Sequence, residues 1–143
     1  MPHAEHTVAV SRPIDEVFAY LADGRNNAHW RSGVLEIERT SAADGPGATY
    51  RQVLKGPGGR KIRGDYRVTA YEPPNRLDFD VIAGPARPTG RFQLTEPEPG
   101  RTVVHFALDL TPRGVMRLMT GMVSRQMQTE VGQLDQLKAR LES

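Results

Sequence analysis

Three polar side chains, Tyr50, Gln52 and Tyr66, share the side of alternating, β-like segments that otherwise carries apolar residues. A phenol or amide placed there needs a hydrogen-bond partner from the protein, from trapped water or from a ligand. In an enzyme such groups could polarise a carbonyl or relay a proton. In a carrier they would orient a bound molecule whose apolar bulk supplies the affinity. Internal satisfaction within a packed core is the third reading, and the spacing leaves all three open.

Other chemistry is sparse. His29 neighbours Trp30, the only tryptophan, and is the one histidine placed to act as an acid or base. His3 and His6 lie at opposite strand parity, which argues against a shared metal site. His105, Asp78 and Asp80 fall on the solvent side by alternation. No Ser-His-Asp set, P-loop or dinucleotide fingerprint is present, and residues 56–59 (Gly-Pro-Gly-Gly) read as a hairpin turn. With no cysteine there are no disulfides, thiolate metal sites or cysteine nucleophiles. No metal and no cofactor is expected.

The elements that hold these residues follow from local pattern. Residues 5–10 read as a strand. Pro13 suits the first turn of a helix over 14–22, where Ile14, Val17, Phe18 and Leu21 recur on one face. Asp23-Gly24 stops it, and a second short helical segment runs through 26–30. Strands are then expected at 34–40, 48–55, 60–71 and 76–82, with two more carrying Phe92 and Leu94, then Val104, Phe106 and Leu108. Gly- and Pro-rich turns separate them. After Thr111-Pro112 comes one long helix of about 28 residues, which would span about 42 Å. Its apolar stripe runs from Val115 and Leu118 to Leu137 and Leu141, with Met119, Met122, Val123 and Met127 between.

Seven strands side by side would cover roughly 33 Å, whereas one helix is only about 10 Å across. A flat sheet would leave its apolar face in water, so the sheet must curl around the helix. Such a half-open barrel leaves an internal cavity. Gly64, mid-strand, fits a bend or a close approach. Four methionines between 116 and 127 offer either an adaptable cavity wall or plain core filling.

Composition sets outer bounds. A chain of 143 residues, 38% hydrophobic and 25% charged, suits one folded domain over 1–143. No apolar run reaches the roughly 20 residues of a membrane span, so no integral membrane association is expected. The first six residues lack signal-peptide character, and the cytoplasm is the expected location. Arginines outnumber lysines 16 to 3 but are spread singly among acids along the chain, which gives no nucleic-acid footprint. Arg51, Lys55, Lys61, Arg63 and Arg67 read as a solvated, edge-protecting sheet face.

The segments S-R-P-I-D-E-V-F-A-Y-L-A-D (11–23), W-R-S-G-V-L-E-I-E (30–38) and G-P-G-A-T-Y-R-Q-V (45–53) carry a resemblance. So do Y-E-P-P-N-R-L-D-F (71–79), G-P-A-R-P-T-G-R-F (84–92) and L-T-P-R-G (110–114). In order and over essentially the whole chain, they resemble the START and birch-pollen-allergen-like (SRPBCC) superfamily, in its polyketide cyclase/dehydrase-like branch. The resemblance implies an α+β helix-grip fold. A curved antiparallel sheet of six to seven strands would wrap a long C-terminal helix, with two short helices after the first strand. It also implies a hydrophobic ligand cavity and places Trp30 at its end, where an apolar ring with one N–H donor suits a pocket mouth.

The expected lining begins with Trp30, Tyr50, Gln52, Leu54, Ile62 and Tyr66. Phe79, Phe92, Phe106, Met119, Met122, Val123 and Met127 complete it. The expected partner is a small hydrophobic, aromatic or lipid-like molecule. Family members range from lipid carriers to cyclases, so a polyketide cyclase or dehydratase is one alternative function. A protein-interaction or chaperone-like module is the other.

Overall fold

The computed structural model describes residues 2–111, 117–118 and 120–143. The first strand, β1 (His3–Val10), leads through Pro13 into α1 (Ile14–Ala22), whose Val17, Phe18 and Leu21 are buried as the spacing predicts. Asp23 ends this helix. Its carboxylate accepts the Arg25 amide N–H and starts a single 3-10 turn, Gly24–Asn26, followed by the four-residue α2 (Asn27–Trp30). The strands β2 (Val34–Arg39), β3 (Thr49–Lys55), β4 (Lys61–Arg63), β5 (Tyr66–Glu72), β6 (Arg76–Val81), β7 (Thr89–Glu98) and β8 (Arg101–Asp109) come next.

All pairings are antiparallel, in the order β1-β8-β7-β6-β5-β3-β2, with β4 beside the far half of β3. Seven strands thus run edge to edge and the eighth segment is a product of a bend. The single strand expected over 60–71 breaks at Gly64-Asp65, where β3 exchanges one neighbour for another. A Cβ on Gly64 would stand 2.5 Å from Leu54 Cδ1 and 2.9 Å from its Cγ, so any other residue here would push the Leu54 side chain aside. Asp65 caps the break, its carboxylate accepting the Gln52 amide N–H at 3.3 Å. Register shifts in β2, β5 and β7 add the local twist that lets the sheet curve.

Two helices, α3 (Thr120–Gly132) and α4 (Leu134–Glu142), lie in the curve where one long helix was expected. The expected start of that helix falls outside the described residues. The ladder is interrupted at Gln133, whose amide turns to the Glu130 carbonyl at 3.2 Å, and Gly132 beside it weakens the helix locally. Val123, Met127, Val131, Leu134 and Leu137 are buried against the sheet. The stripe fails at its beginning: Leu118 is 88% and Met122 is 43% exposed. This is the helix-grip arrangement, with a core running from α1 across the concave sheet face to α4.

Candidate functional site

Alternation places the expected lining on the concave face. Tyr50, Gln52, Tyr66, Phe79, Phe92 and Phe106 are each at most 6% exposed. Their rings form a chain across the sheet. Tyr50 stacks on Tyr66 at 4.9 Å, Tyr66 meets Phe79 at 5.2 Å, and Phe92 stacks on Phe106 at 4.3 Å. Trp30 closes the row edge-on to Phe92 and Phe106, at 6.1 and 6.2 Å. Such rings stabilise one another beyond their burial. Glycines make room for them: a Cβ on Gly90 would overlap the Phe79 ring, and one on Gly24 would stand 2.8 Å from Tyr50.

The three polar residues singled out in the sequence separate here. The Tyr50 hydroxyl donates to the Asp44 carboxylate, and the Ala22 carbonyl lies 3.5 Å away. Burial first, and the Asp44 contact second, push this phenol well above its ordinary pKa. The Tyr66 oxygen accepts from Asn27 Nδ2 at 3.0 Å, and burial with the adjacent Tyr50 raises its pKa too. Both phenols therefore stay neutral at ordinary pH and cannot serve as phenolate bases. Gln52 differs. Its Nε2 donates to the Gly64 carbonyl at 3.2 Å, but its buried Oε1 has no hydrogen-bond partner among the described residues. Trp30 Nε1 and Tyr20 Oη are the two other buried side-chain polar atoms without one among the described residues. Orphaned groups of this kind are rare in packed interiors and call for an explanation.

Sequence reasoning missed a buried ion pair. Arg31, 5% exposed, donates through Nε and Nη2 to Glu130 Oε2 at 3.2 and 2.7 Å. Its guanidinium carbon lies 6.0 Å from the ring centres of both Trp30 and Phe106. The pair therefore ties the end of α2 to α3 above the aromatic row. Ser32 adds to the tie by donating its hydroxyl to Gln133 Oε1 at 3.1 Å. Glu130 was legible in one respect. It lies three residues after Met127 and four before Leu134, which puts a carboxylate within the apolar side of the helix.

Free space is unevenly distributed. Beneath α1, a void of about 10 Å³ is bounded by Leu21, Asn27, Tyr66, Val68, Phe79 and Phe92, among others. That is room for about one water molecule. At the opposite end, Leu54 and Ile62 are cross-strand partners and only half-buried. Met122 stands exposed on α3, one turn before Gln126, whose Nε2 donates to the Lys55 carbonyl at 3.3 Å. Val123 and Met127 are buried on the same helix, and Met119 lies outside the described residues. A groove of about 460 Å³ on the outer face of the sheet is lined by His3, Asp78, Asp80, Arg91 and Asp109, among others. Most of these are engaged: Asp78 by Arg76 and Arg91, His3 by Glu5 and Asp109.

The remaining candidates are dispersed. His29 is exposed, 3.4 Å from Arg140, and does not reach the interior. His6 pairs with Asp135, and His105 meets Thr7. Among the described residues no three His, Asp or Glu side chains are grouped to hold a metal ion, and no helix is long and apolar enough to cross a membrane.

Among curated proteins, none matches the chain by sequence. Solved structures do. The protein TTHA0849 from Thermus thermophilus superposes with a TM-score of 0.81 at 22% identity, covering 98% of this chain and 97% of its own. The Zhui aromatase/cyclase from Streptomyces sp. R1128 gives 0.74 at 20% identity, with 98% and 93% covered. A START superfamily protein from Mycobacterium smegmatis gives 0.69 at 14% identity, with 98% and 97% covered. At these identities the likeness is one of fold. The sequence matches the family described as polyketide cyclase/dehydrase and lipid transport over residues 1–142, and the chain belongs to that family.

Proposed function

We propose that this chain, a single domain over 1–143, is a cytosolic protein that binds a small hydrophobic or aromatic molecule. The molecule would sit between the concave sheet face and the C-terminal helices. The observation that carries this reading is that two of the three buried polar side-chain atoms without partners among the described residues, Gln52 Oε1 and Trp30 Nε1, belong to the expected lining, Tyr20 Oη being the third. An acceptor and a donor held ready inside an aromatic wall suit a ligand with a ring body and hydroxyl or carbonyl substituents. Such a molecule would enter at the end that carries the half-covered Leu54 and Ile62 and the exposed Met122, on the helix whose Gln126 reaches the Lys55 carbonyl. Tyr50 and Tyr66 act as neutral wall and hydrogen-bond groups, and Phe79, Phe92, Phe106, Val123 and Met127 as apolar wall.

Naphthalene and naphthol are suitable probes, followed through the fluorescence of the lone Trp30. Naphthol is expected to bind about three- to ten-fold more tightly, the net worth of one hydrogen bond to Gln52 Oε1. The difference should vanish in Gln52→Leu. No fluorescence response to either probe, or an unchanged preference in the variant, would count against the reading.

A second reading, cyclisation or dehydration of a folded polyketide-like substrate, is favoured by the Arg31–Glu130 pair and the Trp30 N–H beside it. Of these groups, the Trp30 N–H and the Arg31 N–H groups not committed to Glu130 are the donors that could stabilise a developing oxyanion, with the Glu130 carboxylate holding the guanidinium in place. The aromatase/cyclase named among the structural relatives adds support by analogy.

A further inference from the structure

Although the chain's cations are dispersed in sequence, the fold gathers several of them. Residues 53–64, 81–88 and 110–129 contain no Asp or Glu. The first two meet each other, and the first meets residues 120–129 of the third, at one end of the molecule. Gln126 on α3 donates to the Lys55 carbonyl, and α3 approaches the turn at 57–59. The Ile82 amide donates to the Asp65 carbonyl at 2.7 Å, and Gly84 packs against the Arg63 backbone. Lys55, Arg60, Lys61, Arg87, Arg117 and Arg125 are all exposed there, and none forms an ion pair among the described residues. Of the flanking carboxylates, Asp65 is held by Arg63 and Asp109 by His3, and Asp80 lies on the outer face of the sheet.

The same end carries the exposed apolar side chains Leu118 at 88%, Met122 at 43% and Ile82 at 38%. Exposed apolar residues ringed by unpaired cations match an anionic bilayer surface. The side chains enter the headgroup boundary and the cations meet the lipid phosphates. A single-stranded nucleic acid fits less well, because it needs exposed rings on which bases stack. Every Trp, Tyr and Phe of this chain is buried or half-buried.

We propose that this acid-free end, centred on Leu118 and Met122, docks the protein reversibly on anionic lipid bilayers. The inference stands whether or not the interior holds a ligand. Co-sedimentation of the full chain with phosphatidylcholine vesicles, with and without one third phosphatidylglycerol, tests it. Binding is expected only to the anionic vesicles and should weaken with salt. Arg60→Gln and Lys61→Gln should each lower partitioning about five-fold. Leu118→Asn, at a site too exposed to affect folding, should lower it roughly ten-fold. Absence of binding to anionic vesicles would overturn the proposal, as would indifference to Leu118→Asn. A preference for homopolymer RNA over the vesicles would also overturn it and assign the surface to nucleic acid.

Discussion

Glu130→Ala is expected to lower the unfolding free energy by about 3 kcal/mol, toward the lower end of what breaking a buried ion pair costs. The Arg31 guanidinium is 5% exposed, and both of the N–H groups it commits point at one Glu130 oxygen. With the carboxylate removed, a charge is left among Trp30 and Phe106 with little access to water. The variant also opens space beside Gly33, where a Cβ would lie 2.6 Å from Glu130 Oε1. Replacing both partners, Arg31→Met with Glu130→Leu, should recover most of the loss, because no unpaired charge remains. Urea denaturation of the parent chain and both variants decides the matter. If the single and double variants are equally unstable, packing volume rather than charge pairing holds α2 to α3.

Trp30→Ala should cost about 3–5 kcal/mol, as large-to-small substitutions of buried aromatic residues do. The ring is 2% exposed and contacts Phe92 and Phe106 edge-on. Trp30→Phe separates packing from polarity. It keeps most of the edge contacts and deletes an N–H that has no partner within the described protein. Its stability should fall by no more than about 1.5 kcal/mol, while probe binding, read by calorimetry in the absence of tryptophan, should weaken. A Phe variant as unstable as the Ala variant would mean that the N–H already serves the fold.

Legibility from sequence followed the range of the interactions. Strand alternation is local, so the inward placement of Tyr50, Gln52, Tyr66, Phe79, Phe92 and Phe106 could be read directly, as could the bend at Gly64. The Arg31–Glu130 pair joins residues 99 apart in sequence and was hidden because Arg31 follows a short turn with no periodicity of its own. The helix break at Gln133 had only Gly132 as a cue, and its stabilising contact, Ser32, lies 101 residues away. Exposure of Leu118 and Met122 was illegible for another reason. A helical apolar stripe says which residues share a side, not how far along the helix the sheet continues to cover it. The same limit applies to the site. Parity identified Gln52 as inward, but that its amide nitrogen is satisfied while its oxygen is not depends on the carbonyl of Gly64 at the strand break.

Native mass spectrometry of freshly purified protein tests the central claim of containment most directly. A population heavier than the 15.9 kDa chain by the mass of a small apolar molecule, lost on denaturation, is the predicted result. Only the bare chain mass, together with no uptake of added naphthol, would contradict it.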